Sequence, residues 1–119
     1  MTRSMQAVPS SIAAEQTGLS DPDYRLQDRY TREQGRIYLS GVQALVRLPL
    51  MQAQRDRLHG HNTGGFISGY RGSPLGGFDL ELWRARAQLE AAKVTFTPGL
   101  NEDLGATMVW GTQQTTLFP

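Results

Sequence analysis

Two short β-prone runs lie one helix apart, and this spacing constrains the fold more than any other feature of the chain. The first is Thr63-Gly64-Gly65-Phe66-Ile67-Ser68 and the second is Val94-Thr95-Phe96-Thr97. Each is short and mostly apolar, which suits a buried strand. Between them come the loop Gly69-Tyr70-Arg71-Gly72-Ser73-Pro74-Leu75-Gly76-Gly77 and a segment from Leu80 to about Ala92. That segment reads as a helix with a partial apolar face of Trp83, Ala87 and Leu89 to Ala91, and Asp79 stands where it can cap it. A helix crossing between two strands makes them parallel, and the connection is right-handed in nearly all cases. After the second run Pro98-Gly99-Leu100 turns, Asn101 caps, and Glu102 to about Gln114 reads as a further helix. The fold class is therefore α/β: an incomplete open parallel sheet with flanking helices. Loops after both strands emerge at the carboxyl edge of the sheet, where ligands of open α/β sheets bind. The topology thus predicts that loop 69–77 and the acidic stretch 101–103 are neighbours in space.

Upstream, Arg36-Ile37-Tyr38-Leu39 reads as one small strand, and Ser40 as the N-cap of a helix from 41 to about 58 that ends at Gly60. Val42, Leu45, Val46, Pro49 and Leu50 fall on one helical face, and Pro49 is expected to interrupt or bend the helix. Residues 1–30 are small, polar and without a clean period, and read as a mobile leader. The segment has no continuous apolar centre, so it is no secretory signal, and Glu15, Asp21 and Asp23 argue against a transit peptide. The expected compartment is cytoplasmic. The length of 119 residues allows one domain at most. Twelve Lys and Arg against eleven Asp and Glu give no strongly basic face to draw nucleic acid. The absence of cysteine excludes disulfides, iron–sulfur ligation and cysteine zinc sites within this chain. No apolar run approaches the ~20 residues that span a bilayer, so no membrane partner is expected. The ending Leu117-Phe118-Pro119 suggests the front part of something longer.

Thirteen glycines, most of them after residue 59, suggest close backbone approach to a ligand. Neither G-x-G-x-x-G nor G-x-x-x-x-G-K-[ST] occurs, so no nucleotide fingerprint is met. The loop at 69–77 can be a plain strand-to-helix connection, a phosphate cradle, or a clamp like that of a KH-type RNA module. Glu102 has two readings as well. It can simply favour the helix dipole, or it can face the glycine loop across a crevice, protonated by burial or sharing a proton with a ligand nitrogen. His59 and His61 read as solvated loop residues, Arg55, Asp56 and Arg57 as a wet helix end, and Trp83 and Trp110 as core.

Three blocks sharpen this picture: Leu39-Ser40-Gly41-Val42-Gln43-Ala44-Leu45-Val46-Arg47-Leu48-Pro49, Phe66 to Gly77, and Pro98-Gly99-Leu100-Asn101-Glu102-Asp103-Leu104. Through them Thr31 to Pro119 resembles the amino-terminal region of the indolepyruvate:ferredoxin oxidoreductase family, in its large fused form. That family belongs to the thiamine-diphosphate-dependent 2-oxoacid:ferredoxin oxidoreductases. The resemblance implies that residues 31–119 begin a pyrimidine-binding domain, truncated at its C-terminal end. It implies that Glu102 is the catalytic glutamate that hydrogen-bonds pyrimidine N1′. Gly69, Tyr70, Gly72, Ser73, Pro74 and Asn101 would join it around the cofactor, and Arg71 and Ser73 would face the substrate. Many relatives carry Pro where Arg71 stands and Ser where Leu75 stands, departures that fit the fused form.

The resemblance further implies an enzyme that oxidatively decarboxylates indolepyruvate or a related aryl 2-oxo acid, with coenzyme A and ferredoxin as partners, in a homo-oligomer. Diphosphate and Mg would be held by another domain carrying Gly-Asp-Gly, a motif that does not occur here, and the iron–sulfur cluster by cysteines elsewhere. The chain alone is then expected to be inactive. The rival from a different class is a non-catalytic α/β module that binds a phosphate-bearing ligand or RNA through the glycine loop.

Overall fold

The computed structural model describes residues 21–115 and Leu117. Its elements in order are α1 (Asp28–Thr31), α2 (Gly41–Leu58), β1 (Gly65–Gly69), α3 (Phe78–Arg84), α4 (Arg86–Ala91), β2 (Val94–Pro98) and α5 (Glu102–Thr112). The expected leader's residues 1–20 lie outside the described residues, and α1 forms within its last part. The run Arg36 to Leu39 is not a strand: it is irregular chain leading into α2, with the Tyr24 hydroxyl bonded to the Tyr38 N–H and carbonyl.

α2 starts as expected at Ser40. Ser40 Oγ accepts from the Gln43 backbone N–H (3.3 Å), while Gln43 Oε1 accepts from the Ser40 N–H (2.9 Å). This reciprocal capping box satisfies two donors that a helix start otherwise leaves open. The helix runs unbroken through Pro49, against expectation. The bond Pro49 cannot make would have gone to the carbonyl of Leu45, whose side chain is on the exposed flank, where water can take its place. Leu45 accordingly leaves the expected apolar face, and Val46 and Leu50 alone are buried.

β1 and β2 pair in parallel, with Gly65 opposite Val94, Ile67 opposite Phe96 and Gly69 opposite Pro98. Alternation puts Val94, Ile67 and Phe96 on one face. That face meets the core, built from Val46, Leu50, Leu82, Ala85, Leu89 and Ala92. The expected single helix from Leu80 to Ala92 is two. α3 and α4 meet at the fully buried Ala85, whose backbone leaves helical geometry (φ −91°, ψ 12°). α3 begins two residues early, because Gly77 takes the N-cap in a left-handed conformation and Asp79 sits inside the first turn. Leu82, Ala85, Leu89 and Ala92, spaced as one helical stripe, face inward, and Trp83, Ala87 and Ala91 of the expected face are exposed.

Neither tryptophan is core. Trp83 is 45% exposed and packs edge-on against Phe96 at 5.3 Å between centroids, and Trp110 is 64% exposed. At its amino end the sheet is fixed by one tight junction. The Gly65 N–H donates to the Lys93 carbonyl (2.9 Å), and Lys93 holds φ 57° while its Nζ donates to Asn62 Oδ1 (2.7 Å).

Among the described residues one charged side chain is buried. Glu81 is 8% exposed and accepts from the Tyr30 phenol (2.6 Å), Arg84 Nη1 (3.1 Å) and Gln43 Nε2 (3.3 Å), so α1, α2 and α3 converge on one carboxylate. Arg47 reinforces the same corner by donating to the carbonyls of Arg29 and Arg32. The phenol's donation, with help from Arg84 and Gln43, holds the Glu81 carboxyl below its ordinary range, against the opposing effect of burial. Burial first, and then the hydrogen bond to Glu81, pushes the Tyr30 phenol well above its own.

The signs follow. The Glu81 contribution is complete above the ordinary carboxyl pKa and is lost as pH falls through the depressed folded value. The Tyr30 contribution is complete below the ordinary phenol pKa and is lost as pH rises through the raised one. Stability measured by urea unfolding is therefore expected to fall on the acid side of about pH 4.5 and on the alkaline side of about pH 10. Tyr30→Phe should lower it by about 1–3 kcal/mol at neutral pH. Leu82→Ala, which opens the fully enclosed centre, should cost about 2–5 kcal/mol.

Candidate functional site

Because β1 and β2 run parallel and in register, their loops leave side by side. The Gly99 N–H donates to the Gly69 carbonyl (2.7 Å), which carries the pairing one step past the strand ends. From Gly69 the chain enters the glycine loop. There the Ser73 N–H reaches the Tyr70 carbonyl (3.3 Å), and Ser73 Oγ accepts from the Leu75 N–H (3.2 Å). Gly72 (φ 97°) and Gly77 (φ 78°) hold left-handed conformations that disfavour a side chain, so the loop's path depends on glycine at both positions. From Gly99 the chain enters α5. Asn101 Oδ1 accepts from the Leu104 N–H (2.9 Å), an N-cap that places Glu102 and Asp103 in the first turn. α5 packs back on β1 through Gly105, which is buried beside Ser68.

The two loops meet. The Tyr70 phenol donates to Glu102 Oε1 at 2.5 Å, across 32 residues of sequence. The expected juxtaposition of glycine loop and acid is thus present, and its agent is a tyrosine. The phenol's donation, followed by a backbone N–H at the helix start, holds the Glu102 carboxyl below the ordinary range. The same bond, and then desolvation, pushes the Tyr70 phenol up. This corrects one expectation. Glu102 is exposed and favours its charged form, so burial does not keep it protonated in this chain. The physical reason is that the edge carries only α5's own first turn and Tyr70 around the carboxylate.

Beneath the glycine loop lies a cleft of about 180 Å³. Its apolar wall is Ile67, Leu75, Phe78, Leu82 and Phe96, and its polar rim includes Tyr70, Ser73 and Asp79. Gly69 and Gly72 also line it. Of the other residues singled out from sequence, Pro74 is an exposed part of the loop and Asn101 spends its side-chain oxygen on the cap. Arg71 points to solvent, with only a 3.7 Å approach to Asp79. Glu102 does not line the cleft; Tyr70 is the side chain common to both.

Sequence reasoning missed Phe78 and Asp79 as walls. It could have found Ile67 and Phe96, because the register places both on one face of the sheet. A wider hollow of about 430 Å³ runs along the outer edge of β2 beside Trp83, where Arg86 and Glu90 already satisfy each other at 2.6 Å.

His59 and His61 are exposed, and the His59 ring donates from Nδ1 to the Arg55 carbonyl at 2.7 Å. Among the described residues no three His, Cys, Asp or Glu are gathered to hold a metal ion, and no helix is long and apolar enough to cross a membrane. No protein-family model, curated protein or solved structure matches the chain.

Chemically, the edge offers an apolar slot of ring size, a hydroxyl at its rim and a carboxylate beside it. One phenol and one backbone N–H leave part of the roughly four acceptor positions of that carboxylate open to a ligand. Geometry at Gly99 is what keeps the acid there: a Cβ on it would lie 3.2 Å from both N and Cα of Gly105. Gly99→Ala should therefore push α5 outward and cost about 1–3 kcal/mol in urea unfolding. Gly105→Ala meets only Ser68 Oγ at 3.5 Å, an ordinary contact, and should be neutral or stabilising by up to ~1 kcal/mol.

Proposed function

We propose that the chain is the amino-terminal part of a thiamine-diphosphate-dependent oxidoreductase of the indolepyruvate:ferredoxin type, and that its carboxyl edge receives the cofactor's aminopyrimidine ring. The observation that carries this reading is the meeting of Glu102 with the glycine loop through Tyr70, 2.5 Å apart. The residues fit the group. The apolar wall of Ile67, Leu75, Phe78 and Phe96 suits the faces of a flat heteroaromatic ring, and a slot of about 180 Å³ accepts one ring and little more. Ser73 Oγ already accepts from Leu75, so its hydrogen is left to donate to cofactor or substrate. The open acceptor positions on Glu102 suit a proton shared with ring nitrogen N1′.

In this reading the Glu102 carboxylate accepts the hydrogen bond from that ring nitrogen, the glycines let the backbone close on the ring, and the loop sets the ring's plane. When bound, the cofactor supplies the carbanion chemistry by which a 2-oxo acid loses carbon dioxide, and the protein supplies position and electrostatics. The diphosphate with its Mg, the iron–sulfur cluster and the contacts to coenzyme A and ferredoxin fall to other domains. Glu102 is exposed here, so the shield that strengthens its interaction with the ring would come from an adjoining domain laid over this edge.

The rival reading, a module for phosphate-bearing ligands or RNA, is less well supported. Asp79 lines the cleft and ionised Glu102 stands beside the loop, and both repel an anion. In the complete enzyme, Glu102→Gln should lower decarboxylation by about 10²–10⁴-fold with the fold intact by circular dichroism. Decarboxylation at the unaltered rate in that variant would sink the assignment.

A further inference from the structure

We propose that Tyr70 is a positioning residue for Glu102: its phenol grips one side of the carboxylate and turns the other acceptor positions, with the shared proton, toward the ring nitrogen of a bound aminopyrimidine. This rests on the function proposed above and deepens it, giving a role to the side chain through which Glu102 meets the loop.

Three features of the geometry support it. Tyr70 lines the cleft and also hydrogen-bonds Glu102. Its backbone is held on both sides, by the Gly99–Gly69 bond (2.7 Å) before it and by the Ser73 N–H on its own carbonyl (3.3 Å). Glu102 is held at its backbone by the Asn101 cap, but its side chain is exposed and has three torsions of its own. An exposed glutamate samples several rotamers unless something fixes it, and the ordering costs free energy each time a ligand must impose it. The phenol imposes it beforehand.

The direction of the proton follows from the same bond. Hydrogen bonding to the charged form of a carboxyl favours that form, so a proton shared between Glu102 and a ring nitrogen is displaced toward the ring. The charges around the pair do not do this in its place. Asp103 adjoins on the same turn and is itself acidic. Across the loop, Arg71 is turned to solvent with Asp79 at 3.7 Å. On β1, the face that α5 packs against offers Ser68 and no ionisable group. The Tyr70 phenol, held un-ionised by the neighbouring carboxylate, stays a donor throughout the neutral range.

The test uses the full chain and thiamine labelled with ¹⁵N at N1′. The ¹⁵N shift of the bound ring near pH 7 reads how much of the proton the nitrogen carries. In the unaltered chain it should lie on the protonated side of free thiamine. In Tyr70→Phe it should move back toward the free value, while thiamine still saturates at higher concentration. Replacing Tyr70 with 3-fluorotyrosine, a stronger donor of nearly the same shape, should move it the other way and guards against a folding defect in the Phe variant.

A bound N1′ shift that is the same in all three chains, with Glu102→Gln abolishing the interaction, would overturn the role of Tyr70 and leave the proposed function standing. Failure of the unaltered chain to bind thiamine, or equal binding by Glu102→Gln, would overturn both. A purely bracing tyrosine would change affinity in the Phe variant without moving the proton, and that outcome also counts against the proposal.

Discussion

The parallel pairing of β1 with β2 is the constraint on which everything else depends. It sends two loops out of one edge in the same direction, and it sets the carbonyl of Gly69 against the N–H of Gly99 at 2.7 Å. From that point a phenol and a carboxylate separated by 32 residues need only their own side-chain lengths to meet. An antiparallel hairpin of the same two segments would place the glycine loop and Asn101 at opposite ends of the sheet. The core takes its shape from the same pairing. Ile67, Phe96 and Val94 share a face because the strands are in register, and Leu82 and Leu89, two turns apart on the crossover helices, both pack into the core with it.

A second centre of organisation lies away from the site. The Glu81 carboxylate is surrounded by donors from α1, α2 and α3 and is the only buried charged side chain among the described residues. Stripping any one donor leaves a charge in a poor solvent, which is why the corner is sensitive to pH from both directions. It ties the segment around Tyr30 to the crossover helices, and those helices in turn carry the cleft's floor at Phe78 and Leu82.

Much of this was legible in the sequence, for identifiable reasons. Strand order, parallel sense and the neighbourhood of loop 69–77 and Glu102 followed from two apolar runs and one helix between them. The caps at Ser40 and Asn101 followed from residue type. What escaped depends on tertiary fit. Trp83 is large and apolar and so reads as core, yet it lies off the stripe of Leu82, Ala85, Leu89 and Ala92 that faces the core. Asp79 has the residue type of a cap, yet Gly77 adopts φ 78° and starts the helix earlier. The Arg36–Leu39 run has β-prone residues, but the Tyr24 hydroxyl takes the Tyr38 N–H and carbonyl that a strand would use. Of the readings open for Glu102, protonation by burial fails because exposure depends on what covers the edge, which its position at that edge does not decide. Tyr70 as the link needed a distance.

The junction at Lys93 and Gly65 has a reach beyond its own neighbourhood. It clamps where the second strand starts, with Lys93 in a left-handed conformation and the first ladder bond at 2.9 Å. Sliding one strand past the other by a single residue would flip Val94 and Phe96 to the wrong surface. It would also displace the far ends by about 3.3 Å, more than a hydrogen bond tolerates. The lysine at the amino end is therefore a distant gauge for the acid at the carboxyl end: the alignment chosen at one margin of the sheet decides whether phenol and carboxylate are within grasp at the other.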